Sequence, residues 1–204
     1  MPIVTYLLLA VNIILSLICF TNRTLYADLM YIPYEIKRRK QWYRIISGGF
    51  IHGSQIHLLF NMMSLYFIGS FIEPYINAIL PFGNLSFFIF YMGALIASHL
   101  PVYFKHQNNA SYAAVGASGA ISAVILALVM ANPWIQLSFF FIPMPGIVFA
   151  AIYLGASLYF IKSGTLSGIG HEAHLYGALY GIVVMALLGN NVWEHFIYQL
   201  LHKP

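Results

Sequence analysis

Charge is almost missing from long stretches of this chain, and that constrains its fold more than any single motif. Only 7% of its 204 residues are charged and 61% are hydrophobic, where an average soluble domain carries about 25% charged residues. Nine Lys and Arg with five Asp and Glu are too few to build a water-soluble surface of this size. They are also bunched. Arg23, Lys37, Arg38, Arg39, Lys40 and Arg44 share one segment, which leaves the apolar runs nearly charge-free. The chain therefore reads as an integral membrane protein embedded in a lipid bilayer. Its net charge of +4 comes from that one segment. With no basic face elsewhere, nucleic-acid binding is a poor reading and a basic patch at a lipid surface a better one. Cys19 stands alone in an apolar run, so no disulfide can form within the chain and cysteine says nothing about compartment.

Six apolar stretches suit membrane spans, each near the ~20 residues that cross ~30 Å of hydrocarbon. They cover approximately residues 3–20, 55–75, 85–104, 116–132, 137–161 and 171–188. The first lacks a basic leader and a small-residue cleavage site, so it reads as a retained span. Residues 21–50 form a long connection in which Tyr26, Tyr31, Tyr34, Trp42 and Tyr43 mix with basic residues. That mixture favours the headgroup level, and a connection this long needs a purpose such as shaping or shielding a site. Pro143, Pro145 and Gly146 are expected to kink the start of the fifth span, and residues 162–170 read as a Gly/Ser loop. The expected architecture is all-α, one polytopic membrane domain over residues 1–204 with six transmembrane helices. No internal repeat is evident.

The polar residues inside the spans carry the functional question. Ser118 lies in Val115-Gly116-Ala117-Ser118-Gly119, one hydroxyl between two glycines at the start of the fourth span. Alone it is a weak signal, since a serine in a membrane helix commonly bonds back to its own backbone. Gly116 and Gly119 could equally serve close helix packing. His57 and Asn61 are four apart near the start of the second span, on one helix face. They could be a buried polar pair bridging helices. His174, Gly177 and Gly181 share a face near the start of the sixth span, and His174 could be a core histidine. Their joint placement says more. In alternating topology the starts of even-numbered spans fall on one side of the bilayer, so Ser118, His174, His57 and Asn61 come to similar depth. A serine nucleophile needs a base, for which His is suited, and donors for an oxyanion, which a helix-start N–H, Asn or His can supply.

Gly116-Ala117-Ser118-Gly119, followed by Ala173-His174-x-x-Gly177-x-x-x-Gly181 and preceded by His57-x-x-x-Asn61, resembles the rhomboid intramembrane serine proteases in their basic six-span form. The resemblance covers nearly the whole chain. It implies a compact rhomboid-like bundle and a catalytic Ser118–His174 dyad without an acidic third member. It also implies an oxyanion hole of the Ser118 N–H, His57 and Asn61, with single-span membrane proteins as substrates and no cofactor. Gly69 and Glu73 match the family's Gly-x-x-x-Glu, where the acid is structural. Trp42-Tyr43-Arg44 resembles its Trp-Arg element with one residue inserted. Ser122 stands where some relatives carry a Tyr that stacks on the histidine, so that stacking must come from elsewhere or be absent. The family pattern also implies a bacterial inner membrane with the active site facing outward.

Competing readings bear on the same residues. His171 shares a face with His174 and could be the base, but His174 fits Ala-His-x-x-Gly and lies a turn deeper, which leaves His171 at the aqueous mouth. Glu172, two positions from His174, faces elsewhere. His171-Glu172-Ala173-His174 superficially suggests zinc, yet the helical zinc motif spaces its ligands at i and i+4, so no metal is expected. Water must reach Ser118, which calls for a polar cavity with His52, Ser54 and Gln55 as rim candidates. A catalytically silent relative that binds membrane helices is the alternative function, and a small transporter fits poorly without a mid-span acid. The positive-inside rule would put the odd-numbered loops, and with them the site, in the cytoplasm, opposite to the family pattern.

Overall fold

The computed structural model of the chain describes residues 1–139, 142–164, 170–188 and 191–202. The first span is α1 (Ile3–Thr21), a 19-residue apolar helix. Three short helices follow: α2 (Arg23–Leu29), α3 (Pro33–Arg39) and α4 (Arg44–Ser47). The second span is one continuous helical stretch, α5 (Gln55–Ser64), a π-helical turn over Leu65–Gly69 and α6 (Ser70–Ile79). Then come α7 (Ser86–His106), α8 (Ser118–Ala131), a hairpin of β1 (Gln136–Phe139) and β2 (Ile142–Pro145), α9 (Gly146–Ser163), α10 (His171–Leu188) and α11 (Val192–Leu201). Among the described residues five helical stretches are long and apolar enough to cross a membrane, and α8 is a shorter apolar sixth. The fold is that of an all-α polytopic membrane protein.

Lipid offers helices no hydrophobic reason to associate, so close packing and buried polar contacts hold such a bundle together. The outer faces show this solvent. Leu7, Ile14, Phe67, Phe71 and Leu187 are large, apolar and exposed. Inside, α8 is the hub, in contact with α5, α6, α7, α9, α10 and α11. Eleven of its 14 residues are buried, which is why its sequence is apolar all round instead of striped. Asn132 leaves helical geometry at φ −150° because Pro133 crowds the residue before it.

The fifth span differs from the expectation. Residues 137–161 do not form one helix. Gln136–Phe139 pairs antiparallel with Ile142–Pro145, in the register Leu137 with Met144 and Ser138 with Pro143, and α9 begins only at Gly146. Pro143 and Pro145 lack the N–H that a helix interior requires, so the segment stays extended until the second proline is passed. Part of the expected loop after this span, residues 165–169, lies outside the described residues. α11 was not foreseen; the Trp134 indole N–H donates to Gln199 O on it, at 2.8 Å.

The long first connection is a folded element. Arg44 is 4% exposed. Its guanidinium donates to Ala27 O and Met30 O, both at 2.8 Å, and to Gln41 Oε1 at 2.7 Å. The arginine thus satisfies carbonyls at the end of α2 that have no helical partner. Trp42 packs against Tyr103 of α7, ring centres 5.3 Å apart. Tyr31 pairs with Ala114 through both backbone bonds, 3.1 and 3.0 Å, and its ring stacks on His99 at 4.3 Å.

Glu73 ties the second span to the first. This buried carboxylate accepts from the N–H groups of Val4 at 3.0 Å and Thr5 at 2.7 Å. It caps the start of α1, where no side chain of α1 itself serves, and sits at the positive end of that helix's dipole. Gly69 keeps α1 close, since a Cβ there would lie 3.1 Å from Thr5 Oγ1.

Candidate active site

Gly116 sets the approach to α8. Its φ of +118° is a conformation that side chains rarely tolerate, and its N–H donates to Gly48 O at 2.8 Å. A Cβ on Gly116 would also lie 2.6 Å from the His57 ring. Ser118 is then the first residue of α8. The first intrahelical bond runs from Ile121 N–H to Ala117 O, so the Ser118 N–H precedes the ladder and belongs to the orphan donors of a helix start. Fourteen residues of α8 rise about 21 Å at 1.5 Å each, against ~30 Å of hydrocarbon. α8 is thus shorter than the hydrocarbon layer is thick.

His174 reaches the same point from α10, with Nε2 2.7 Å from Ser118 Oγ. The two helices meet so closely because their glycines face each other's backbone. A Cβ at Gly177 would overlap the carbonyl oxygen of Gly119, and one at Gly181 would overlap that of Ala123. A Cβ at Gly119 would strike the Ser98 side chain on α7 at 2.6 Å.

Ser118, His174, His57, Asn61, Gly116 and Gly119 all line one cavity of about 930 Å³. Asn61 Nδ2 donates to His57 O at 2.9 Å, which leaves the second N–H of its carboxamide for another partner. The rim is not the one expected. His52 is fully buried, with Nδ1 2.9 Å from Ser16 Oγ. Burial, together with the neighbouring His57, lowers its pKa to about 3, so it stays neutral. Ser54 caps α5 by accepting from His57 N–H at 3.1 Å, and Gln55 is not among the cavity residues. The wall is instead built partly from Tyr26, Met30, Lys105, His106, His171 and Glu172. Glu172 binds Lys105 and also lies 3.3 Å from His106 Nε2, so its carboxylate is turned to α7 and away from His174. His171 also lines the cavity, its ring 6.2 Å from that of His174 and edge-on. Among the described residues no group of three His, Cys, Asp or Glu could hold a metal.

One contributor had no signature in the sequence. Tyr153, from α9, stacks on His174 with centroids 6.3 Å apart and planes at 21°. Its hydroxyl is hydrogen-bonded to Ser122 Oγ. The aromatic that the α8 position lacks is therefore present from the neighbouring helix.

Fold and cavity together define a multi-pass membrane protein with a serine and a histidine in hydrogen-bond contact at the wall of a cavity. A family model described as the Rhomboid domain matches residues 39–191, well over half of the chain, and the chain belongs to the rhomboid family. It is 28% identical over 156 residues to Rhomboid-like protein 11, chloroplastic, of Arabidopsis thaliana, which covers 72% of this chain and 52% of that protein. It is 26% identical over 160 residues to the rhomboid protease GlpG of Haemophilus influenzae, covering 76% of each. It is 30% identical over 150 residues to the human presenilin-associated rhomboid-like protein, mitochondrial, covering 72% of this chain and 38% of that protein. The chain spans about half the length of the Arabidopsis relatives it matches.

Proposed function

We propose that the chain is an intramembrane serine endopeptidase that cuts transmembrane segments of single-span membrane proteins, with Ser118 as nucleophile and His174 as general base. The observation that carries this reading is the 2.7 Å contact between Ser118 Oγ and His174 Nε2, within the reach that proton transfer needs, at the wall of a cavity that also holds His57 and Asn61. Family membership and the similarity to a relative named a protease support it.

In this mechanism neutral His174 takes the Ser118 proton on Nε2 as Oγ attacks a peptide carbonyl of an unwound substrate segment. The Ser118 N–H, the second N–H of Asn61 and the His57 ring serve the developing oxyanion; a single such donor is worth about 3–4 kcal/mol. Protonated His174 then donates to the leaving amine, and water from the cavity resolves the acyl-enzyme. The dyad needs no acid, which agrees with Glu172 being held by Lys105 and His106.

The site is read as opening to the outer side of a bacterial inner membrane, against the charge bias of the odd-numbered loops. Much of that bias is invested in folded structure: Arg44 is buried, Arg39 pairs with Glu35 at 2.8 Å and Lys37 donates to Asn108 at 2.7 Å.

Purified protein in detergent is to be mixed with a tagged single-span substrate and, separately, with a fluorophosphonate probe. Wild type cleaves and labels; Ser118→Ala and His174→Ala do neither, with unchanged thermal unfolding. Cleavage by Ser118→Ala overturns the mechanism, and wild type that neither labels nor cleaves supports the silent relative.

A further inference from the structure

We infer that Tyr153 is a positioning residue for His174, so that α9 holds the base in register with the nucleophile on α8. The inference rests on the proposed Ser118–His174 chemistry. Three side chains of α9 form an aromatic face at i, i+4 and i+11: Phe149, Tyr153 and Phe160. Phe149 stacks behind Tyr153, centroids 5.7 Å apart at 13°. Tyr153 lies over His174, and Phe160 lies over His171, 4.9 Å away at 27°. Both histidines at the start of α10 thus have a ring from α9 against one face.

Tyr153 is also tied to the nucleophile's helix. Ser122 Oγ donates to Ser118 O at 2.7 Å. A serine hydroxyl has one proton, so the bond between Ser122 and Tyr153 has the Tyr153 O–H as donor and Ser122 Oγ as acceptor. The hydroxyl thus seats Tyr153 against α8, while the ring is what meets His174. Ser122 is 1% exposed, so this contact is shielded inside the bundle. A histidine with one ring nitrogen engaged by Ser118 can still rock about its Cβ–Cγ bond; a near-parallel ring 6.3 Å away restricts that motion. Aromatic pairs are worth about 0.5–1.5 kcal/mol beyond their buried area, which as orientation free energy is up to about tenfold in rate.

The base is aligned only while α9 is seated, and α9 is the least enclosed of the long spans, with 17% of its apolar window buried against 50% for α7. Tyr153 is the α9 side chain that meets both His174 and Ser122.

The test uses the full chain in detergent with four variants: Tyr153→Leu and Tyr153→Met, which remove the ring in two ways, Tyr153→Phe, which keeps it, and Ser122→Ala. Read out are the rate of fluorophosphonate labelling at Ser118, kcat and KM on one tagged substrate, and the thermal midpoint. Expected are a fivefold or greater fall in labelling rate and kcat for the Leu and Met variants, with KM within twofold and the midpoint held in at least one of them. Tyr153→Phe and Ser122→Ala stay within threefold of wild type and match each other. Labelling by Tyr153→Leu and Tyr153→Met at the wild-type rate overturns the inference, as does Tyr153→Phe falling as far as they do, or a loss that lies wholly in KM or follows a lowered midpoint in both. A wild type that does not label overturns the proposed chemistry and this inference together, whereas a labelling wild type with indifferent Tyr153 variants removes this inference alone.

Discussion

The backbone of Gly177 on α10 lies against the carbonyl oxygen of Gly119 on α8, with no space between them for a methyl group. Gly177→Ala must push the helices apart, and the Ser118–His174 contact depends on their separation. Overpacking of this kind costs about 1–3 kcal/mol. The variant is expected to unfold at lower temperature and to lose at least tenfold in cleavage rate. Gly155→Ala is the control. Its Cβ meets nothing within 4 Å, and Ala is the better helix former by about 1 kcal/mol, so stability should hold or rise.

Glu73 serves α1 across the bundle. Glu73→Ala leaves the Val4 and Thr5 N–H groups without their carboxylate partner. Hydrogen bonds to charged groups contribute about 1.5–3 kcal/mol, so a loss of about 2–4 kcal/mol is expected in thermal or denaturant unfolding. Glu73→Gln keeps one oxygen acceptor and should lose less. Equal losses from both variants would show that the capping bonds contribute nothing.

Arg44 reaches two carbonyls and a side chain through three separate N–H directions. A lysine is a single point donor on a flexible stem. Arg44→Lys should therefore loosen residues 23–47, seen as faster limited proteolysis there, at a stability cost of about 1–3 kcal/mol. Trp42→Phe, which keeps an aromatic against Tyr103, should not accelerate cutting.

Orientation can be read with single cysteines. Cys19 is 1% exposed and should stay silent to an impermeant maleimide. Ala110→Cys, in the exposed loop before α8, is expected to label on intact bacterial cells making the protein. His202→Cys, exposed beyond α11, is expected to label only after lysis. The reverse pattern would place the cavity mouth in the cytoplasm.

The residues that converge were legible because membrane topology does much of the work. Once the spans alternate, the starts of α5, α8 and α10 must share a side, so Ser118, His174, His57 and Asn61 could be brought together without a three-dimensional coordinate. Lateral phase was not legible. Which of 15 tyrosines meets His174 depends on the rotation of α9 about its axis, and an apolar helix facing lipid leaves little periodicity to report it. The hairpin before α9 was half visible: Pro143 and Pro145 signalled a break, but hydropathy alone ran the span through them. His52, Ser54 and Gln55 neighbour His57 along the chain but do not line the cavity. Ser54 spends its hydroxyl on a helix cap, and His52 is buried toward Ser16. The first connection was legible as unusual, yet the Arg44 contacts that fold it link residues whose pairing no local pattern announces.

The bond between Glu73 and the start of α1 also has a timing. The carboxylate that caps Thr5 lies 68 residues further along the chain. At about 5–20 residues per second, roughly 3–14 s of synthesis separate the two partners. During that interval interfacial water must serve the first N–H groups of α1. The start of α1 is thus locked only once the second span has been made, so the helix waits on an acid that its own segment does not carry.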